Sequence, residues 1–211
     1  FPLICGRVCY RFCEKECNRK GIDDRVSINA VERFLGEYAV THGLRPTIPI
    51  ITDTMAGYVQ VAIIGGGPSG LSAAHFLARA GYLVTIFDEN EELGGVLRYG
   101  IPEYRMPKEL LRSEIANMVT GLGIESMLGC RVDSDLFLNV RGSYDYIVVA
   151  LGAHKEKKLF GREEGRALIE DGLQFLSRIS SGALKHLPGH VKHVAVIGGG
   201  NAGLEAVQDL F

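Results

Sequence analysis

The sequence has no apolar run approaching the roughly 18 residues that a membrane-crossing helix needs, so insertion into a bilayer through such a helix is not expected. It has no block of Lys or Arg. Its 23 basic and 25 acidic residues leave a net charge of −2, which argues against nucleic acid or an anionic membrane as a partner. It has no C-x-x-C pair, which speaks against the usual zinc sites and against a dithiol mechanism of the thioredoxin-reductase kind. The six His show no metal-ligand spacing; His154, His186, His190 and His193 fall in expected loops and read as surface residues. No Ser/His/Asp hydrolase arrangement can be argued, and no side chain is expected to act as a classical catalyst. The opening segment, rich in Cys, Arg, Lys and Glu, does not read as a signal peptide, so a cytoplasmic protein is expected. The chain starts at Phe1 and stops at Phe211 inside an expected helix, and so reads as a piece of a longer protein.

What the sequence does have is one phrase twice. Val61 to Gly81 reads VAIIGGGPSGLSAAHFLARAG, and Val194 to Phe211 reads VAVIGGGNAGLEAVQDLF. Each is an apolar run that breaks into G-x-G-x-x-G and then into a helix-forming pattern, the form of a dinucleotide-phosphate cradle. The fold class is therefore α/β, with two nucleotide-binding units.

In the first copy, Val59 to Ile64 reads as a buried strand, Ser69 to Ala80 as a helix and Leu83 to Asp88 as a second strand. Gly65 allows the tight turn, Gly67 lets a pyrophosphate approach the backbone, and Gly70 lets the helix pack close to the strand. Asp88, 18 residues after Gly70, is placed to accept hydrogen bonds from a ribose diol. FAD and NAD use the same element, and the turn alone does not separate them. The glycines and prolines of residues 92–107 are expected to prevent regular structure. Further on, Lys108 to Leu122 reads as a helix, Tyr146 to Ala150 as a strand, Asp171 to Ile179 as a helix and His193 to Ile197 as a strand leading into the second turn, Gly198, Gly200 and Gly203 with Asn201 and Ala202 between.

Four of the five cysteines are Cys5, Cys9, Cys13 and Cys17; Cys130 stands apart and reads as a buried, inert thiol. Thiolates at this density suit an iron–sulfur cluster, and a 4Fe-4S centre is favoured. Disulfides need an oxidising compartment, and a helix with cysteines on one face is the other reading. VSINAVERFLGEYAV predicts a helix, with Val26, Ile28, Val31, Phe34, Leu35 and Tyr38 at helical spacing and Asp23 or Asp24 capping its start. Residues 45–53, with two prolines, read as an extended linker.

The stretch GGGPSGLSAAHFLARAGYLVTIFDENEELGGVLRYGIPEYRMPKELLRSEI resembles the FAD-binding segment of one flavoprotein family. That family contains the small (beta) subunit of NADPH-dependent glutamate synthase, the N-terminal part of dihydropyrimidine dehydrogenase and the large subunit of NADH-dependent ferredoxin:NADP oxidoreductase. The Leu-Gly-Gly, Tyr-Gly-Ile-Pro and Tyr-Arg-Met-Pro pieces of residues 93–107 are its most specific part, and the likeness runs over about residues 1–211. It implies three regions: a helical iron–sulfur region (1–44), a Rossmann-like FAD-binding domain (45–154) and an incomplete Rossmann-like NAD(P)-binding domain (155–211).

The resemblance also implies roles. Gly65, Gly67, Pro68, Ser69 and Gly70 would hold the FAD pyrophosphate, and Asp88, usually Glu in the family, the adenosine ribose. Gly95 and Val96 would lie along the flavin, Arg105 would make a charge-assisted contact to the cofactor, Val132 would meet adenine, and Gly152 would match the family's Ala-Thr-Gly turn, with Leu151 in place of the usual Thr. The second turn would take NAD(P)H, and relatives usually have Thr-Ala where Ala202 and Gly203 stand. Residues 4–34 resemble the family's second cysteine motif, with Tyr10 in place of Pro. There Cys9, Cys13 and Cys17 would serve two clusters together with an earlier cysteine group that this chain does not contain. Glu32 holds the position of a side chain that can complete one cluster, or is a solvated helix residue; Cys5 is a fourth ligand or binds nothing.

The expected function is electron transfer from NAD(P)H through FAD to iron–sulfur clusters and a redox partner subunit or domain of a larger hetero-oligomeric complex. An electron-bifurcating variant and a non-catalytic assembly subunit are the alternatives. NAD versus NADP and the final acceptor are not legible.

Overall fold

The computed structural model describes residues 1–44, 58–153 and 169–210. The expected linker, 45–53, lies outside them, as does the expected boundary at 154–155. In chain order the elements are α1 (Pro2–Val8), α2 (Phe12–Lys15), a 3-10 turn (Asn18–Gly21), α3 (Ile28–Thr41), β1 (Gln60–Ile64), α4 (Pro68–Arg79), β2 (Leu83–Phe87) and α5 (Val96–Tyr99). These are followed by α6 (Lys108–Val119), β3 (Glu125–Met127), α7 (Ser134–Ser143), β4 (Tyr146–Val149), α8 (Gly172–Ser180) and α9 (Asn201–Asp209).

The four strands form one parallel sheet in the order β3-β2-β1-β4. Parallel neighbours require crossovers, and helices fill them on both faces. Under one face lies the main core, where Val61, Ile63, Val84 and Ile86 meet Leu71 and Ala74 of α4 and Leu111 and Ile115 of α6. On the other, Ala62 and Phe87 pack with Val140 of α7. This alternation along β1 and β2 is the period-2 signature of a sheet buried on both sides.

Three expectations change. Residues 92–107 carry one regular turn, α5, which the buried Arg98 holds by donating Nε–H to the Leu93 carbonyl at 2.8 Å and pairing with Glu92 at 2.9 Å. α3 is not capped by Asp23 or Asp24. Asp23 pairs with Arg19 instead, while the buried Glu14 carboxylate reaches from α2 to accept the Asn29 N–H at 2.8 Å, in the first turn of α3. A carboxylate there satisfies a helix-end donor and sits favourably in the helix dipole. Residues 193–197 are not a strand. A strand needs a hydrogen-bonded neighbour, none of the described residues supplies one, and Val194, Val196 and Ile197 stand exposed.

The cysteine segment is built onto the sheet unit rather than beside it. Leu3 and Ile4 belong to the main core, and the buried Glu114 of α6 accepts the Leu3 N–H at 3.3 Å. α1 and α3 cross tightly, since a Cβ on Gly6 would lie 2.5 Å from the Arg33 backbone and one on Gly36 2.6 Å from that of Leu3. α3 buries Asn29 and Gly36, whereas its apolar residues Val31, Phe34, Leu35 and Tyr38 face outward.

Candidate functional site

The first glycine turn joins β1 to α4 at the open end of the sheet. Gly65 has φ +108°, and a Cβ there would lie 2.3 Å from the Ala150 carbonyl oxygen beyond β4. A Cβ on Gly70 would lie 1.8 Å from the Gly65 carbonyl oxygen. The fold itself therefore requires both. Gly67 is different. Its φ of −75° and ψ of −173° suit any residue, and the nearest atom to an added Cβ is Gly95 Cα at 3.8 Å. The chain alone gives no steric reason for a glycine here, and the side chain would occupy space over the N-terminus of α4. No side chain caps that helix, so its first-turn amides remain available to an anion, which the helix dipole also favours. Pro68 opens the helix without needing an N–H partner, and Ser69 and Gly70 follow. A cradle of this form fits a dinucleotide pyrophosphate.

The other predicted residues of the first site stand around this turn. Asp88 is buried just past β2 and braces the turn: Oδ2 accepts the Gly66 N–H at 2.6 Å, while Oδ1 accepts the Asn90 N–H at 2.8 Å and its Nδ2 at 2.9 Å. Gly94 N–H donates to the Gly66 carbonyl at 2.9 Å, bringing Gly95 against Gly67. Val96 opens α5 and is exposed. Val132 packs onto the Ala62–Phe87–Val140 cluster, and Gly152 turns the chain at φ +74°. Arg105 pairs with the buried Glu205 of α9. Sequence reasoning missed Asn90, Arg98 and Glu205, because nothing in their spacing separates a brace from a solvated polar residue.

The second turn shares the form of the first, a first glycine with positive φ and a third that approaches its carbonyl closely. Gly198 has φ +120°, and a Cβ on Gly203 would lie 2.2 Å from the Gly198 carbonyl oxygen. Gly200 precedes α9 at φ −77° and ψ 177° with no side-chain cap, and a Cβ on it would meet nothing within 4 Å. Asn201 begins α9, and its Nδ2 donates to the Tyr10 hydroxyl at 2.9 Å. Ala202 packs into the small core that Phe175, Leu176 and Ala206 form between α8 and α9. The local geometry fits a second nucleotide phosphate, although residues 193–197 before it pair with no strand among the described residues. Farther along α9, burial pushes the Asp209 carboxyl up, with Glu205 adding to it, and burial pulls the Lys108 ammonium down.

The cysteines are spread along the N-terminal segment: Cys5 inside α1, Cys9 at its end, Cys13 in α2 and Cys17 before the 3-10 turn. Cys5 is exposed at the edge of the α1–α3 packing, where desolvation first, and then Glu32 and Cys9, push its thiol up. Hydrogen bonds from backbone N–H groups, that of Val26 foremost, pull the Cys17 thiol down, the direction that suits a metal ligand. Among the described residues no three His, Cys, Asp or Glu side chains gather closely enough to hold a metal ion. As placed, Cys5, Cys9, Cys13, Cys17 and Glu32 do not make the site of a single cluster. Asn29 ties the segment together by donating to the Cys5 carbonyl at 2.9 Å.

Comparison with known proteins agrees with this geometry. Residues 59–210 match the profile of the pyridine nucleotide-disulphide oxidoreductases, and residues 1–44 match that of dihydropyrimidine dehydrogenase domain II, 4Fe-4S cluster. The beta subunit of an NADP(+)-dependent formate dehydrogenase from Moorella thermoacetica is 34% identical over 97% of this chain and 32% of its own length. The beta subunit of an NADPH-Fe(3+) oxidoreductase from Geobacter sulfurreducens is 34% identical over 98% of this chain and 31% of its own. The glutamate synthase [NADPH] small chain of Escherichia coli is 32% identical over 98% of this chain and 45% of its own. The chain thus spans about a third of the length of the first two relatives. With residues 59–210 matched and a glycine cradle of the right form at each end of that span, the chain belongs to the pyridine nucleotide-disulphide oxidoreductase family, whose cofactors are FAD and NAD(P)H.

Proposed function

We propose that this chain is the nucleotide-binding part of an NAD(P)H-dependent flavoprotein oxidoreductase that delivers electrons to a redox partner subunit or domain. The observation that carries the reading is the middle glycine of each turn. Gly67 and Gly200 have ordinary backbone angles and no chain neighbour close enough to exclude a side chain. A bound phosphate gives the physical reason for both.

In this reading the first turn holds FAD through Gly65, Gly67, Pro68, Ser69 and Gly70. Asp88 keeps the turn in shape and offers its remaining lone pair to the ribose. Gly95, Val96, Arg105, Val132 and Gly152 complete the surround. The second turn holds the nicotinamide nucleotide through Gly198, Gly200, Asn201, Ala202 and Gly203. When bound, FAD supplies the conversion of a two-electron hydride donor into single-electron transfers. The residues here bind and orient, and none is needed as an acid or base. The names of the relatives, which specify NADP(+) or NADPH, favour NADPH over NADH. Because those relatives are subunits, a larger complex is the expected setting.

The test is the absorbance of the full-length protein. Flavin bands that bleach on addition of NADPH under anaerobic conditions are expected. A protein purified without flavin, or one whose flavin NADPH leaves oxidised, contradicts the reading.

A further inference from the structure

Helix α9 is held by two parts of the chain that lie far from it in sequence. Asn201 and Glu205, four residues apart, share one face of α9. Asn201 Nδ2 donates to the Tyr10 hydroxyl at 2.9 Å, and Glu205 pairs with Arg105. Tyr10 comes from the cysteine segment and Arg105 from the sheet unit, so both converge on the helix that carries the second glycine turn.

The backbone around Tyr10 has an unusual form. Arg11, the next residue, is the one non-glycine residue with positive φ among those described, at φ 58° and ψ 39°. Side-chain-bearing residues persist there when their surroundings hold them, and such positions concentrate at functional sites. The Tyr10 ring stacks on Phe12 with centroids 5.9 Å apart, which limits where its hydroxyl can go. That hydroxyl accepts from Asn201, so its own proton remains free to donate. The Asn201 backbone N–H takes no part in the contact and stays available at the turn.

We propose that Tyr10 is a positioning residue for the second nucleotide: together with the Arg105–Glu205 pair it fixes the N-terminus of α9 relative to the cysteine segment and the sheet unit. The proposal rests on reading the second turn as the NAD(P)H site. It makes nucleotide affinity depend on a residue of the cysteine segment, and by linkage the bound nucleotide orders that segment in return.

The experiment uses the full-length holoprotein as wild type, Tyr10→Phe and Glu205→Gln, its flavin first reduced anaerobically with dithionite, titrated with NADPH by nicotinamide fluorescence. Flavin content and melting temperature are measured alongside. Tyr10→Phe removes one oxygen and keeps the stack on Phe12. Loss of one hydrogen bond of ordinary strength corresponds to about a three- to tenfold rise in Kd. That rise is expected in each variant; Tyr10→Phe keeps its flavin, and its melting temperature falls by no more than the few degrees that one hydrogen bond is worth. In turnover with an artificial acceptor, Tyr10→Phe raises KM for NADPH more than it lowers kcat. If Glu205→Gln does not fold, Tyr10→Phe decides alone. Wild-type affinity in Tyr10→Phe overturns the proposal, as does tighter binding or a parallel loss of flavin. Failure of the wild type to bind NADPH overturns the assignment of the second turn itself, and the proposal with it.

Discussion

At the scale of single residues, the three glycines of each turn divide by what demands them. Gly65 and Gly198 answer to backbone angle and Gly70 and Gly203 to close approach, whereas neither demands Gly67 or Gly200, which the proposed function assigns to a ligand. The motif was legible in the sequence, but this division was not, because it depends on which backbone atoms stand behind each Cα. Gly70→Ala would drive a methyl into the Gly65 carbonyl. It is expected to cost about 3 kcal/mol or more in a urea melt, at or beyond the usual range for overpacking, whereas Gly67→Ala should stay within about 1 kcal/mol of wild type. Equal destabilisation by the two would show that the middle glycine is also demanded by the fold. Asp88 was singled out by its spacing, as a ribose acceptor. That its carboxylate turns inward to Gly66 and Asn90 was hidden, since a ribose acceptor and a loop brace use the same residue at the same place.

At the scale of elements, β1, α4 and β2 were read to within a residue or two, whereas β3 and α7, which complete the same sheet unit, were not anticipated. Errors arose where an element depends on a distant partner. α3 was placed correctly but given the wrong cap, because Asp23 and Asp24 are adjacent in sequence whereas Glu14 is adjacent only in space. Glu14→Ala is expected to destabilise the protein by about 1–3 kcal/mol, the cost of leaving the buried Asn29 N–H without an acceptor. Glu14→Gln, which keeps a carbonyl oxygen, should recover most of it. Denaturant melts of the two variants check this, and equal losses would mean that Glu14 acts through packing or charge instead. Residues 193–197 have the composition of a strand but find no neighbour to pair with among the described residues, and composition cannot reveal that. α5 escaped notice because one buried arginine, Arg98, holds a turn amid residues that discourage one.

At the scale of the whole molecule, the parts read as successive regions in the sequence are physically interlocked. Leu3 and Ile4 complete the core under the sheet, Glu114 caps α1, and Tyr10 and Arg105 meet α9. These ties suit a chain that keeps two nucleotides and a cysteine segment in fixed relation. The α/β class and both cradles were legible because glycine turns are local. The ties were not, because they link residues 100 or more positions apart. The central claim is that two cradles of one form hold two different nucleotides, and it predicts a crossed result. The most direct measurement is flavin content and NADPH affinity, side by side, in folded Gly67→Ala and Gly200→Ala variants of the full-length protein. Gly67→Ala is expected to lose most of its flavin, while Gly200→Ala keeps its flavin and binds NADPH at least about tenfold more weakly, a loss of roughly 1.4 kcal/mol. Full flavin in the first variant, or wild-type NADPH affinity in the second, contradicts the account.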